Sequence, residues 1–141
     1  MSKDLRKILV VDDSPISQKV TRTILQGANY VILEAWDGDE CLKTVKLENP
    51  DAILMDVILP DGDGKEVVRK LRKDPDTRSI PVIFATNTVK LADDKGNETI
   101  QIDGSSYRAF AKPLHHPKLL SVLRKEINRR RNGGKVIEKI L

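Results

Sequence analysis

The stretch Ile8-Leu9-Val10-Val11-Asp12-Asp13-Ser14-Pro15 sets a short apolar run against two adjacent carboxylates, and a Ser-Pro pair able to open a helix follows at once. The same construction recurs along the chain. Ala52-Ile53-Leu54-Met55 runs into Asp56, Pro81-Val82-Ile83-Phe84-Ala85 into Thr86, and Ala109-Phe110-Ala111 into Lys112-Pro113. Short apolar runs separated by helix-period segments mark buried parallel strands of an α/β sheet. In such sheets the carboxyl ends of the strands gather at one edge, where ligands bind. Asp12, Asp13, Asp56, Thr86 and Lys112 are therefore expected to meet in space.

Working outward, the pattern predicts strands near 7–11, 31–35, 52–55, 82–85 and 109–111. A helix from Ser14-Pro15 carries Ile16, Val20 and Ile24 on one face and ends at Gly27; a second runs from Asp37-Gly38 through Leu47 and stops at Asn49-Pro50. After a loop at 60–64, a third helix buries Val67, Val68 and Leu71, and Pro117 opens a last one with Leu119, Leu123 and Ile127 in register. The expectation is an α/β fold with a doubly wound, five-stranded parallel sheet. Residues 88–107 break the alternation: Thr99-Ile100-Gln101-Ile102 alternates and Asp103-Gly104 is a favoured two-residue turn, so an irregular or hairpin-like segment competes with a shortened helix.

Charge sets the chemistry of the expected meeting point. Two like charges about 4 Å apart repel by roughly 4 kcal/mol at an effective dielectric near 20, and Lys112 offsets only one of three aspartates. The remaining excess suits a divalent cation, and carboxylate oxygens without His or Cys favour Mg²⁺ or Mn²⁺ over zinc. Asp12 and Asp56 also have blander readings, as a helix cap and a strand terminator. Asp61-Gly62-Asp63-Gly64 superficially resembles a calcium loop, but Lys65 occupies the third ligand position, so it reads as a turn leading into a helix at Gly64. His115 and His116 have no ligand-like partners in the sequence.

A length of 141 residues with 39% hydrophobic content suits one domain. Cys41 is the sole cysteine, on a helical face with Leu42 and Val45, and reads as a buried structural thiol. No apolar stretch approaches the roughly 20 residues of a membrane span, and the first residues lack a signal-peptide core, so the cytoplasm is the expected compartment. The net charge of +4 is concentrated in residues 124–141, which hold seven basic and two acidic side chains. That segment is either a solvated helix end or a contact for phosphates or an acidic partner. With no aromatic residue there, stacking on nucleic-acid bases is not expected.

The segments Val10-Val11-Asp12-Asp13-Ser14, Leu54 through Gly64, Pro81 through Thr86 and Lys112-Pro113, with Glu34 through Glu40, resemble the receiver domain of two-component response regulators in order and spacing, over about residues 3–128. The resemblance implies a flavodoxin-like fold with an atypical segment in place of the fourth helix, residues 129–141 forming a basic tail or linker. It implies that Asp56 is the nucleophile, accepting a phosphoryl group from a sensor histidine kinase or phosphotransfer protein. Asp13, Asp56 and the backbone carbonyl of Ile58 would hold Mg²⁺, with Asp12 acting through water, while Thr86 and Lys112 contact the phosphoryl oxygens. Such a domain is a regulatory element that assists its own phosphorylation and dephosphorylation, and it signals to a downstream protein target.

Two departures from the family pattern bear on output: Ala109 stands where an aromatic switch residue is common, and Asn87 follows Thr86 where a small residue is usual. Two other readings remain. One is a receiver-like interaction module with weak or no phosphorylation. The other is a haloacid-dehalogenase-type phosphohydrolase, disfavoured because that family's first aspartates stand two apart whereas Asp12 and Asp13 are adjacent.

Overall fold

The apolar runs form strands because each carries side chains with a buried destination on either side. In β1 (Lys7–Val11), Leu9 and Val11 enter one hydrophobic cluster and Ile8 and Val10 the other. A fully buried Val or Leu contributes about 1.5–3 kcal/mol, so a one-residue slip would forfeit both sides at once. The computed structural model describes residues 5–87, 98–112, 114 and 118–131, with the backbone alone at Thr86 and Arg131.

After β1 come α1 (Pro15–Gln26), β2 (Val31–Ala35), α2 (Gly38–Glu48), β3 (Ala52–Met55), the two-residue strands β4 (Ile58–Leu59) and β5 (Gly62–Asp63), and α3 (Gly64–Lys73). They are followed by β6 (Val82–Thr86), β7 (Thr99–Ile102), β8 (Ser105–Ala111) and α4 (Leu119–Arg131). The main sheet has the order β2-β1-β3-β6-β8-β7, with every pair parallel except β7 with β8. One face packs against Cys41 and Val45 of α2 and Val67, Val68 and Leu71 of α3. The other packs against Leu25 of α1 and Leu119, Val122, Leu123 and Ile127 of α4. The doubly wound α/β architecture is therefore present.

The sheet departs from five strands by gaining a sixth at its edge. β7 pairs antiparallel with β8, from Thr99 opposite Arg108 to Ile102 opposite Ser105. Asp103 and Gly104 join them at φ 49° and 86°, the positive pair that a tight two-residue hairpin requires. β8 thus begins at Ser105 instead of near Ala109; its first half pairs with β7, and Ala109–Ala111 pairs with β6. The rest of the anomalous segment, 88–97, lies outside the described residues, as do Pro117 and the two histidines. α4 continues through Arg131, beyond the expected domain end at 128.

α1 buries a face turned from the expected one, with Ile24 still packed, partly buried, against the core. Ile16 is 77% exposed, whereas Gln18, Thr21 and Leu25 are buried. The Gln18 amide Nε2 lies 3.1, 3.0 and 3.0 Å from the carbonyls of Val10, Asp12 and Ala35, satisfying acceptors where β1 and β2 end. A polar side chain here supplies what an apolar one could not, because a buried carbonyl left unpaired is costly.

Candidate functional site

The strand order reverses between β1 and β3, since the chain leaves β1 for β2 on one side and returns to β3 on the other. Register brings Val11 opposite Met55, so Asp12 and Asp56 emerge side by side at this switch point. The backbone holds them there: Asp12 N–H donates to Ala35 O at 3.0 Å and Asp56 N–H to Val11 O at 3.1 Å. At the next strands Thr86 pairs with Ala111, so β8 delivers Lys112 to the same edge.

The side chains close on one another. Lys112 Nζ donates to Asp12 Oδ2 at 2.6 Å and to Asp56 Oδ2 at 2.8 Å, although the lysine follows these acids by 100 and 56 residues. Asp12 also accepts from Ser17 Oγ and, through Oδ1, from Ser14 N–H at 3.0 Å. Ser14 itself caps α1 by accepting from Ser17 N–H, which leaves Asp12 to the site. Burial pushes the Lys112 ammonium down, but its bonds to Asp12 and Asp56 outweigh this and its pKa is raised, so the lysine is charged at neutral pH.

Asp13 is exposed and, among the described residues, makes no hydrogen bond or ion pair. Carboxylate oxygens of Asp12, Asp13 and Asp56 nevertheless lie within 4.8 Å of one another. Three hard oxygen donors against one ammonium leave an excess of negative charge among the described residues, and the exposed Asp13 carboxylate is engaged in no ion pair there. The donor set and its charge therefore fit Mg²⁺. Ile58 sits two residues beyond Asp56 with an exposed side chain, and its N–H approaches Asp56 Oδ1 at 3.4 Å. The backbone of Thr86 ends β6 beside this edge, while its side chain lies outside the described residues.

Several supporting residues carried no clear signal in the sequence. Gly64 was legible as a helix start but not as a contact: a Cβ there would stand 2.1 Å from the Asp56 carbonyl oxygen, and Gly64 N–H donates to Val57 O at 2.6 Å. Only glycine lets α3 approach the acid this closely. The turn at Pro60-Asp61 folds back as an antiparallel pair, Ile58 opposite Asp63 and Leu59 opposite Gly62. Asp61 then accepts from Gly38 N–H at 2.8 Å and Asp39 N–H at 3.0 Å, bracing the loop after Asp56 against the start of α2. Those two backbone donors hold the Asp61 carboxyl below its ordinary range.

Strand-end aspartates meeting a lysine at the switch point of a doubly wound sheet are the arrangement that the receiver resemblance implies. The family model of the response regulator receiver domain matches residues 8–124, and the chain belongs to that family of two-component signalling domains. It is 31% identical over 122 residues to Protein PilH of Pseudomonas aeruginosa, an alignment covering 84% of this chain and 95% of PilH. It is 29% identical over 119 residues to the polar-differentiation response regulator DivK of Brucella ovis, covering 84% and 94% of the two chains.

Among solved structures, the receiver domain of the sensor histidine kinase PA1611 from Pseudomonas aeruginosa superposes with a TM-score of 0.74 at 27% identity, covering 89% of this chain and 99% of that one. Its structure has a magnesium ion coordinated in the active-site cleft. The N-terminal domain of a response regulator receiver protein from Methanoculleus marisnigri matches at TM-score 0.65 and 33% identity, covering 86% and 96%. The family is regulatory, and among the described residues no helix is long and apolar enough to cross a membrane.

Proposed function

We propose that this chain is a signalling switch that accepts a phosphoryl group on Asp56 from a sensor histidine kinase or phosphotransfer protein and passes the signal to a downstream protein, in the cytoplasm and without nucleic-acid binding. The observation that carries this reading is the Asp12–Lys112–Asp56 contact at the strand-order reversal, beside the open carboxylate of Asp13. Residues 3–128 form the receiver unit in this reading, with 129–141 continuing from it.

Asp13, Asp56 and the Ile58 carbonyl would hold Mg²⁺, and Asp12 would act through water. When bound, the ion neutralises charge on the transferring phosphoryl oxygens. The chain's own residues do the rest. An Asp56 carboxylate oxygen forms the new P–O bond as the P–N bond to the donor imidazole breaks. Lys112, already within hydrogen-bond distance of Asp56, moves from the carboxylate to the incoming oxygens, where charge is spread in the transition state. Thr86 supplies a hydroxyl to the product, which carries about −1.5 to −2 charges. Ser17 and Ser14 keep Asp12 in place throughout, so the site is positioned before the donor arrives.

Incubation with a small-molecule phosphodonor tests this reading. With Mg²⁺ an acid-stable, base-labile adduct should form, and with EDTA it should not. An unmodified protein in the presence of both donor and Mg²⁺ would leave the chain an interaction module.

A further inference from the structure

At the edge of the sheet opposite Asp56, where β6 begins, a cavity of about 440 Å³ opens between the ends of α3 and α4. Arg72 of α3, Arg78 of the following loop, and Arg129 and Arg130 of α4 line it, against one carboxylate, Glu126. A smaller adjoining cavity of about 110 Å³ shares Arg72, Glu126 and Arg129 and adds Tyr107 and Arg108. The positive excess of the C-terminal sequence is thus not merely a solvated helix end: part of it is built into a concave surface.

Two of the guanidiniums are fixed in advance. Arg72 Nε donates to the Tyr107 hydroxyl at 3.0 Å with its guanidinium 5.4 Å from that ring's centre, and its Nη1 is buried with no hydrogen-bond partner. Arg130 Nε donates to Ser79 Oγ at 3.2 Å and its Nη1 to the Pro50 carbonyl at 3.3 Å. The other two are exposed, and among the described residues Arg129 forms an ion pair with Glu126, at 3.8 Å. Four guanidiniums lining one cavity with a single carboxylate leave it positively charged, and an anion entering it would offset that charge. The planar arginine fork suits phosphate oxygens, which it can contact in pairs. Ile80 and Pro81 supply an apolar wall for the uncharged part of a ligand, and the volume falls in the range of small-molecule sites, about 300–1,000 Å³.

We propose that this arginine-lined cavity binds a phosphate-bearing small molecule of nucleotide size, independently of chemistry at Asp56. The test is calorimetric titration of the full chain, in EDTA at physiological salt, with inorganic pyrophosphate, ADP and GDP, alongside NMR of the arginine Nε–H groups. Saturable binding of at least one probe should shift the Arg72 Nε–H resonance. The double variant Arg78→Gln, Arg129→Gln should bind it about tenfold or more weakly, whereas Asp56→Asn should bind like the parent chain. Absence of saturable binding at millimolar probe would overturn the proposal, leaving the face to an acidic protein partner. Equal affinity in the double variant, or loss of binding in Asp56→Asn, would overturn it as well.

Discussion

Replacing Lys112 with methionine removes the cation that bridges Asp12 and Asp56, two largely buried acids of the site. The Lys112, Asp12 and Asp56 side chains are 9%, 4% and 11% exposed, so solvent screens them little. Three carboxylates whose oxygens lie within 4.8 Å would then face one another uncompensated. At that separation and an effective dielectric of 20, the buried Asp12–Asp56 pair repels by roughly 3.5 kcal/mol, and the exposed Asp13 adds less because solvent screens it. Removing one partner of a buried ion pair costs about 3–5 kcal/mol, against a total stability of about 5–15 kcal/mol for a domain. Lys112→Met should therefore fold in EDTA but unfold at a urea midpoint lower by at least about 1 M.

Mg²⁺ should restore more stability to this variant than to the parent chain, because the ion no longer competes with an ammonium for the same oxygens. Binding adds about 2.7 kcal/mol at a ligand concentration a hundredfold above its dissociation constant, so the recovery is measurable. Urea unfolding of both proteins, with and without Mg²⁺, reads it. Equal Mg²⁺ stabilisation of the two proteins, or an unchanged midpoint in EDTA, would refute the electrostatic reasoning.

Other perturbations probe separate links. Gly64→Ala forces a methyl against the Asp56 carbonyl, so it should lower stability by about 1–3 kcal/mol and also slow phosphoryl acceptance, as shown by thermal unfolding and a phosphodonor time course. Burial, aided by Asp61, pushes the Cys41 thiol from 9.0 up to about 12. Below pH 9.0 both states keep the proton; between there and about pH 12 the unfolded chain releases it first, so stability falls as pH rises, by at most about 4 kcal/mol. Urea titrations across that window should show a flatter slope for Cys41→Ala. Gly104→Ala, at φ 86° with open space around it, should destabilise the β7–β8 hairpin by about 1 kcal/mol, visible as faster hydrogen exchange at Ile100 and Tyr107.

Strand ends were the legible part of this molecule. Apolar runs such as Ala52–Met55 are buried on both faces, so hydrophobicity alone marks them, and the polar residue that follows each is where the site forms. Asp103-Gly104 was legible for a different reason, because few residue pairs adopt two consecutive positive φ angles. What escaped the pattern depends on partners distant in sequence. Gln18 is buried for the sake of carbonyls on two strands, and its polarity makes Ile16 look like the better core residue. Asp61 caps α2 from more than twenty residues away, and the contact of Gly64 with Asp56 exists only once α3 has docked. The arginine cavity likewise joins α3 and α4, which share no local sequence signal.

The central claim is that Asp56 is the phosphoryl acceptor, and intact-mass and peptide-mapping spectrometry of the parent chain and Asp56→Asn after phosphodonor and Mg²⁺ tests it most directly. The substitution keeps the side chain's shape and removes the nucleophilic carboxylate. The parent chain should gain the mass of one phosphoryl group on the peptide containing Asp56, and the folded variant should gain none. An adduct of equal yield on Asp56→Asn, or one mapping to another residue of the parent chain, would contradict the account.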